Sequence, residues 1–164
     1  MATKTPKVKV QGVTPFLWFE KDCVKAAESY VKLFHGSRIV SRNPMGCEIE
    51  LAGQRVMMLD GGPIYKLSPA FSLFVSVRTQ AQVDALWEKL TADGGEESRC
   101  GWLVDKFGVS WQIIPERLTD LLAHKDPKVA QAAVGAMMKM AKIEIADLDA
   151  AVADVRPKAR KVRA

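Results

Sequence analysis

Few side chains in this 164-residue sequence are equipped for reactive chemistry. The readiest bases, nucleophiles and metal ligands are two histidines, His35 and His124, and three cysteines, Cys23, Cys47 and Cys100. His35 precedes Gly36 at an expected helix end, where an imidazole suits a capping role. His124 stands before Lys125-Asp126-Pro127, a polar loop in which solvation is expected. Histidines so placed assemble neither a Ser-His-Asp nor a Cys-His set. The cysteines form no C-x-x-C pair and are odd in number, which argues against a disulfide framework or a zinc site. Reduced thiols fit the cytoplasm, the expected location. Glu48 and Glu50 share one face of an expected strand, a placement that serves acid–base work or simple solvation.

The aromatic residues have the stronger claim on a binding role. Trp18, Phe74, Trp102 and Trp111 all fall on expected sheet strands, with Gln112 and Ser72 or Ser76 close by in the pattern. Aromatic walls with a few polar groups are what small-molecule pockets need. Core packing is the competing role for any one tryptophan. Met137, Met138 and Met140 read as core or interface filler rather than a cofactor box.

The elements that must position these residues come as an internal repeat. Val13 to Phe19 reads as an apolar strand. Behind Asp22, an N-cap candidate, Val24, Ala27, Val31 and Phe34 keep helical spacing up to Gly36. Phe71, Leu73, Val75 and Val77 then alternate as a strand. Thr79 and Gln82 form a capping-box pattern ahead of Val83, Leu86, Trp87 and Leu90. A shift of 59 residues carries Val24, Ala27 and Val31 onto Val83, Leu86 and Leu90. One strand–helix unit is therefore used twice.

Strands follow each unit. The first half offers Arg38 to Ser41, Glu48 to Leu51 and Arg55 to Leu59, with Gly53-Gln54 as a hairpin turn. Asp60-Gly61-Gly62-Pro63 closes that half with turn chemistry. The second half offers Ser98 to Val104 and Val109 to Ile114 around Asp105-Lys106-Phe107-Gly108, and Pro115 ends the pattern. From Glu116 the spacing is helical: Leu118, Leu121 and Leu122 come first. Asp126-Pro127 then reads as a cap with proline at N1, ahead of Ala130, Ala133, Val134, Met137 and Ala141. A last helix is expected from Asp147 to Asp154. These helices have no counterpart in the first half and form an appendage, packed on the sheet or on another subunit. The expected divisions are 11–62, 68–115, a helical appendage 116–154 and a basic disordered tail 155–164.

Composition is that of a globular chain, 48% hydrophobic and 26% charged. No apolar run approaches the roughly 20 residues of a membrane span. Met1 to Val10 is basic and polar, so no secretory signal is expected. The formal charge of +5 is concentrated in Arg156, Lys158, Arg160, Lys161 and Arg163. Without these five, the remaining basic residues balance the 19 acidic ones. A solvated tail is the reading; contact with nucleic acid through clustered cations is the alternative, with no base-reading module beside it.

Several stretches resemble the PhnB-like proteins. Leu51-Ala52-Gly53-Gln54-Arg55 with Asp60-Gly61-Gly62-Pro63 resembles their "L-x-G-Q … DGGP". Cys100-Gly101-Trp102-Leu103-Val104-Asp105-Lys106-Phe107-Gly108-Val109-Ser110-Trp111-Gln112-Ile113-Ile114-Pro115 resembles their most recognisable motif. Pro15-Phe16-Leu17-Trp18-Phe19, Ala136 to Met140 and Lys142 to Ile145 match as well, so the similarity covers about residues 11 to 153. The family is a branch of the vicinal oxygen chelate group, with glyoxalase I, bleomycin-resistance proteins and extradiol dioxygenases. The resemblance implies an α+β fold of two βαβββ modules forming a curled mixed sheet around a cavity, with C-terminal helices, in a homodimer. Members also carry the name 3-demethylubiquinone-9 3-methyltransferase. A methyltransferase using S-adenosylmethionine would show a Gly-rich turn from strand to helix in a Rossmann-like domain. Here Asp60-Gly61-Gly62 runs into proline, which gives that name no support.

Metal-dependent relatives draw ligands from the first and last strands of each module. The corresponding windows are Val13 to Pro15, Met57 to Leu59, Ser72 to Phe74 and Gln112. None holds His, Asp or Glu, and a neutral amide is a poor ligand for a divalent ion. No metal and no cofactor are expected. The segment from Ser37 to Cys47 is shorter than in most members, which alters or opens the cavity mouth. Cys100 opens the main motif and suits a small buried role, with no base nearby for a nucleophile. The candidate cavity residues are Trp18, Met58, Ser72, Phe74, Trp102, Trp111 and Gln112. The leading expectation is a metal-free dimer that holds a small, partly apolar ligand. The alternatives are a metal-dependent lyase, isomerase or dioxygenase of the same group, and an interaction module using the helices and tail.

Overall fold

A computed structural model describes residues 7–155. The basic tail from Arg156 onward lies outside the described residues. The chain divides between Lys66 and Leu67 into two compact units.

The first unit runs β1 (Phe16–Phe19), α1 (Cys23–Leu33), β2 (Arg38–Asn43), β3 (Gly46–Leu51) and β4 (Gln54–Asp60). Its strands lie in the order β1-β4-β3-β2, with β1 parallel to β4 and the other pairs antiparallel. The first strand starts three residues later than the apolar run suggests, because Val13 is 91% exposed and has no core to join. Asp22 holds the N-cap position of α1 as expected, but its side chain makes no capping bond. It adopts φ 68° and binds Lys25, while Oδ1 of Asp60 accepts the Cys23 N–H at 2.7 Å. A carboxylate from the far end of the module thus satisfies a free amide at the helix start. The β3–β4 turn is Ala52-Gly53, one residue earlier than expected, and both residues take positive φ. Two positive φ values in a two-residue loop match the twist of the flanking strands. The short Ser37–Cys47 segment is largely β2 and β3 around Pro44-Met45, with Oδ1 of Asn43 accepting the Met45 N–H.

The second unit begins with β5 (Leu73–Val77) and α2 (Gln80–Thr91). After a 3-10 turn at Ala92–Gly94 come β6 (Glu96–Glu97), β7 (Trp102–Val104) and β8 (Ser110–Pro115). Strand order is β5-β8-β7-β6, again with one parallel pair, β5 on β8. The Thr79–Gln82 capping box forms as read from the sequence. The strand expected over Ser98 to Val104 is broken instead, since Cys100 and Gly101 both take positive φ. Each half is thus a βαβββ module with its own four-stranded mixed sheet.

The two helices bury equivalent faces: Cys23, Ala26, Ala27 and Tyr30 in α1, and Val83, Leu86, Trp87 and Leu90 in α2. Both sets follow the i, i+3, i+4, i+7 spacing of one helix face. They superpose at a shift of 60, not 59. Val24 and Val31 flank the buried stripe rather than centre it.

Three helices complete the second unit: α3 (Glu116–Leu122), α4 (Pro127–Met137) and α5 (Ile145–Ala153). Asp126 caps α4 through the Lys128 N–H, with Pro127 in the first turn. Ile114, Leu118, Leu121, Val129, Ala133, Ile143, Leu148 and Val152 make one buried cluster. The inward stripe of α4 centres on Val129 and Ala133, and Val134 is 41% exposed. The appendage is therefore packed on its own module. Its connector is tied down by backbone bonds from Cys100 N to Met140 O and from Gly101 N to Ala141 O. The Gln80 side chain also accepts the Ile145 N–H and donates to the Ile143 carbonyl. Among the described residues no helix is long and apolar enough to cross a membrane.

Candidate functional site

Strand alternation gives each sheet a face that meets its helix and a face that does not. In the first unit Leu17, Phe19, Ile49, Val56 and Met58 are buried on the helix side. Phe16, Trp18, Met57 and Leu59 stand on the other side, with Phe16 opposite Met57 and Trp18 opposite Leu59. Met58 does not share a face with Trp18. It is 3% exposed and belongs to the core, whereas Met57, 42% exposed, occupies the open face. A one-residue offset in a strand reverses the face, which is why the window 57–59 misplaces it.

Trp18 is held in place. Its indole N–H donates to the Gly62 carbonyl at 2.9 Å, and Tyr65 meets the ring edge-on at 5.2 Å between centroids. A Cβ on Gly61 would lie 2.2 Å from the indole, so only glycine fits beneath it. Asp60-Gly61-Gly62 therefore does more than turn the chain. Asp60 caps α1, Gly61 seats Trp18, and Gly62 accepts its N–H.

The carboxylates of this face are ion-paired. Glu48 receives the Arg55 guanidinium at 2.7 Å, and Glu50 receives Arg38 at 2.7 Å. Strand alternation puts Glu48 and Glu50 on the same face, as expected, and each is held by its own arginine.

In the second unit Trp111 is removed from the candidate cavity. It is 1% exposed on the helix side, and its indole N–H donates to Oδ2 of Asp105. Asp105 also accepts the Phe107 and Val109 amides through Oδ1, closing the turn between β7 and β8. Much of the Cys100–Pro115 motif is thus architecture. Gly101, at φ 83°, has no room for a Cβ, which would lie 2.6 Å from the Ile114 side chain.

The open face keeps four of the expected residues together. Phe74 on β5 and Trp102 on β7 both lie opposite Gln112 on β8, so the three form one row across the sheet. Gln112 donates through Nε2 to Oγ of Ser72 at 2.8 Å. Ser110, two residues before Gln112 and on the same face, was not among the expected residues. It is 3% exposed, and its hydroxyl is the one buried side-chain polar atom without a partner among the described residues. The alternation Ser110, Gln112, Ile114 was the available signal, but burial and missing partners are tertiary properties.

The remaining reactive groups lie elsewhere. His124 Nδ1 accepts the Asp126 N–H in the α3–α4 loop. Burial raises the Cys47 thiol pKa and, with Asp60 beside it, pushes Cys23 to about 12, which keeps both protonated. Cys100 is half-buried and directs Sγ at the Met138 sulfur, 3.7 Å away. A cleft of about 410 Å³ lies between α4 and α5, walled by Ala132, Gly135, Ala136 and Ala151, with Lys139, Met140 and Asp147. It contains none of the expected site residues.

The positions at which the superfamily would hold a metal do not fit one. They present Val13, Thr14, Pro15, Met57, Met58, Leu59, Ser72, Leu73, Phe74 and Gln112, and the Gln112 amide is already bonded to Ser72. No group of three or more His, Cys, Asp or Glu side chains gathers among the described residues. Such a donor set is too weak for a divalent ion.

Comparison with known proteins agrees with this architecture. The family model for 3-demethylubiquinone-9 3-methyltransferase matches residues 11–114. The match stops short of the helices, so the likeness read over Ala136 to Ile145 lies outside it. A PhnB protein from Bacillus cereus is 31% identical, with a TM-score of 0.58 over 64% of this chain and 99% of that one. A Pseudomonas aeruginosa protein, 20% identical, shares the fold at a TM-score of 0.54 over 65% of this chain and 98% of its own. A search of curated proteins gives no match. With nearly two-thirds of the sequence matched and both βαβββ modules in place, the chain belongs to the PhnB family described as 3-demethylubiquinone-9 3-methyltransferase-like.

Proposed function

We propose that this protein binds a small, partly apolar ligand on the open face of its sheets, as a cytoplasmic homodimer and without a divalent metal. The row Phe74–Gln112–Trp102 carries the reading: two aromatic side chains flank one amide that can orient a ligand. Phe16 and Met57 on the first sheet are 53% and 42% exposed, and Phe74 on the second is 56% exposed. A second copy would cover part of this apolar surface. Three free thiols suit a reducing compartment. Methyl transfer is not part of this reading. The strand ending at Asp60 leads into Gly61-Gly62-Pro63 rather than into a helix, so the Gly-rich strand-to-helix turn of a Rossmann-like site for S-adenosylmethionine has no counterpart there.

Elemental analysis of protein purified without a metal-affinity tag tests the metal-free part, repeated after incubation with Ni, Zn, Mn and Fe(II). The expected result is no stoichiometric metal after dialysis. Stoichiometric metal that survives would overturn it and favour lyase, isomerase or dioxygenase chemistry. Sedimentation velocity tests the dimer, with a species of twice the chain mass expected.

A further inference from the structure

We propose that the ligand of the second module is an uncharged, flat molecule one or two rings long, carrying a donor–acceptor polar group such as a carboxamide or lactam. This rests on the binding function proposed above and adds the class of ligand.

Three adjacent strands set the size. At about 4.8 Å between strands, the row from Phe74 through Gln112 to Trp102 spans about 10 Å. Aromatic side chains at both ends favour a planar, apolar body. Charge is set by what the face lacks. Ser72 just before β5, Phe74 and Ser76 on it, Ser110 and Gln112 along β8, and Trp102 and Val104 along β7 include no ionisable group, and Ile114, next on β8, is covered by the C-terminal helices. Burying an unpaired ion there would have no compensation. The first charge met along the face is Glu96, opposite Val104 on the edge strand β6, exposed and two strands from Ser110.

The polar groups define the rest. The Gln112 amide spends an N–H on Ser72, which leaves its carbonyl oxygen to accept and the Ser72 hydroxyl hydrogen to donate. Ser110 adds a buried hydroxyl with no protein partner. An unpaired buried hydroxyl costs stability unless a ligand or water satisfies it. A neutral group that both donates and accepts meets this set. A carboxylate has no hydrogen to give the Gln112 carbonyl, and an amidinium, a donor only, cannot accept from the Ser72 and Ser110 hydroxyls.

The test uses the full chain and two matched series that differ only in charge: benzamide, benzoate and benzamidinium, and the naphthalene carboxamide, carboxylate and amidinium. Binding is read by NMR at the Gln112 side-chain amide and the Trp102 indole. The carboxamides should bind at least tenfold more tightly than either charged form. Ser110→Ala should weaken carboxamide binding about 3–10-fold, the loss of one neutral hydrogen bond. Gln112→Glu should transfer the preference to the amidinium. Equal or tighter binding of a charged form to the wild-type chain would overturn the ligand class and leave the binding function standing. No response of either reporter to any of the six compounds would overturn both.

Discussion

The indole N–H of Trp111 donates to Oδ2 of Asp105 at 2.8 Å, and both residues are buried, one in a strand and the other in the turn that leads into it. The same carboxylate takes two backbone amides through its other oxygen. Asp105→Ala leaves these buried donors without their acceptor. A loss of about 3–5 kcal/mol is expected, since each unmet donor costs about 1–3 kcal/mol. Asp105→Asn, which keeps the shape and one acceptor oxygen, should lose less. Urea unfolding, followed by the near-ultraviolet signal of Trp111, measures both.

Gly61 lies beneath Trp18 with no space for a side chain. Gly61→Ala should expel the indole, breaking its bond to Gly62 and its contact with Tyr65. The expected cost is about 1–3 kcal/mol, as for other overpacked sites. A red-shifted Trp18 emission in a background lacking the other tryptophans would report the expulsion. An unchanged spectrum would show that the ring is not seated as described.

Thiol chemistry should separate the three cysteines. Cys23 and Cys47 are buried, and burial pushes the Cys23 pKa from 9.0 to about 12. At pH 8 a disulfide reagent should modify Cys100 first and the other two only on unfolding. A thiol whose pKa is raised by folding contributes fully below its ordinary value and loses that contribution as pH climbs through the folded one. Stability should therefore fall between pH 9 and 12, and Cys23→Ala should flatten the decline.

Asp84 and Lys142 join α2 to the connector that leads into α5, and Lys142 also binds Glu144. The Lys142 hydrogen bond lowers the Asp84 pKa from 3.8, and the same bond raises Lys142 above 10.5. A lowered carboxyl pKa gives stability above pH 3.8 that is lost on acidification. A raised lysine pKa gives stability below pH 10.5 that is lost in alkali. Protection factors at Leu148 and Val152, corrected for the intrinsic pH dependence of amide exchange, should fall at both extremes. Asp84→Asn should abolish the acid response, and added salt should weaken it because the pair is partly exposed.

Local chemistry written into the sequence determined the elements. The Thr79–Gln82 capping box, the Asp126-Pro127 cap, the Gly53 and Gly108 turns and the strand–helix repeat are all rules between near neighbours, so they can be read without a fold. The three-strand row is partly legible in the same way, because alternation places Ser110 and Gln112 on one face. What only the tertiary structure decided depends on partners far along the chain. The cap of α1 comes from Asp60, 37 residues beyond Cys23. Met58 and Trp111 look like cavity residues until strand pairing turns them toward the helices, and the repeat shifts by one residue because burial, not apolar spacing, sets its register. Spacing fixes which side chains share a face; which face is covered is fixed by what packs against it, and no short stretch of sequence contains that information.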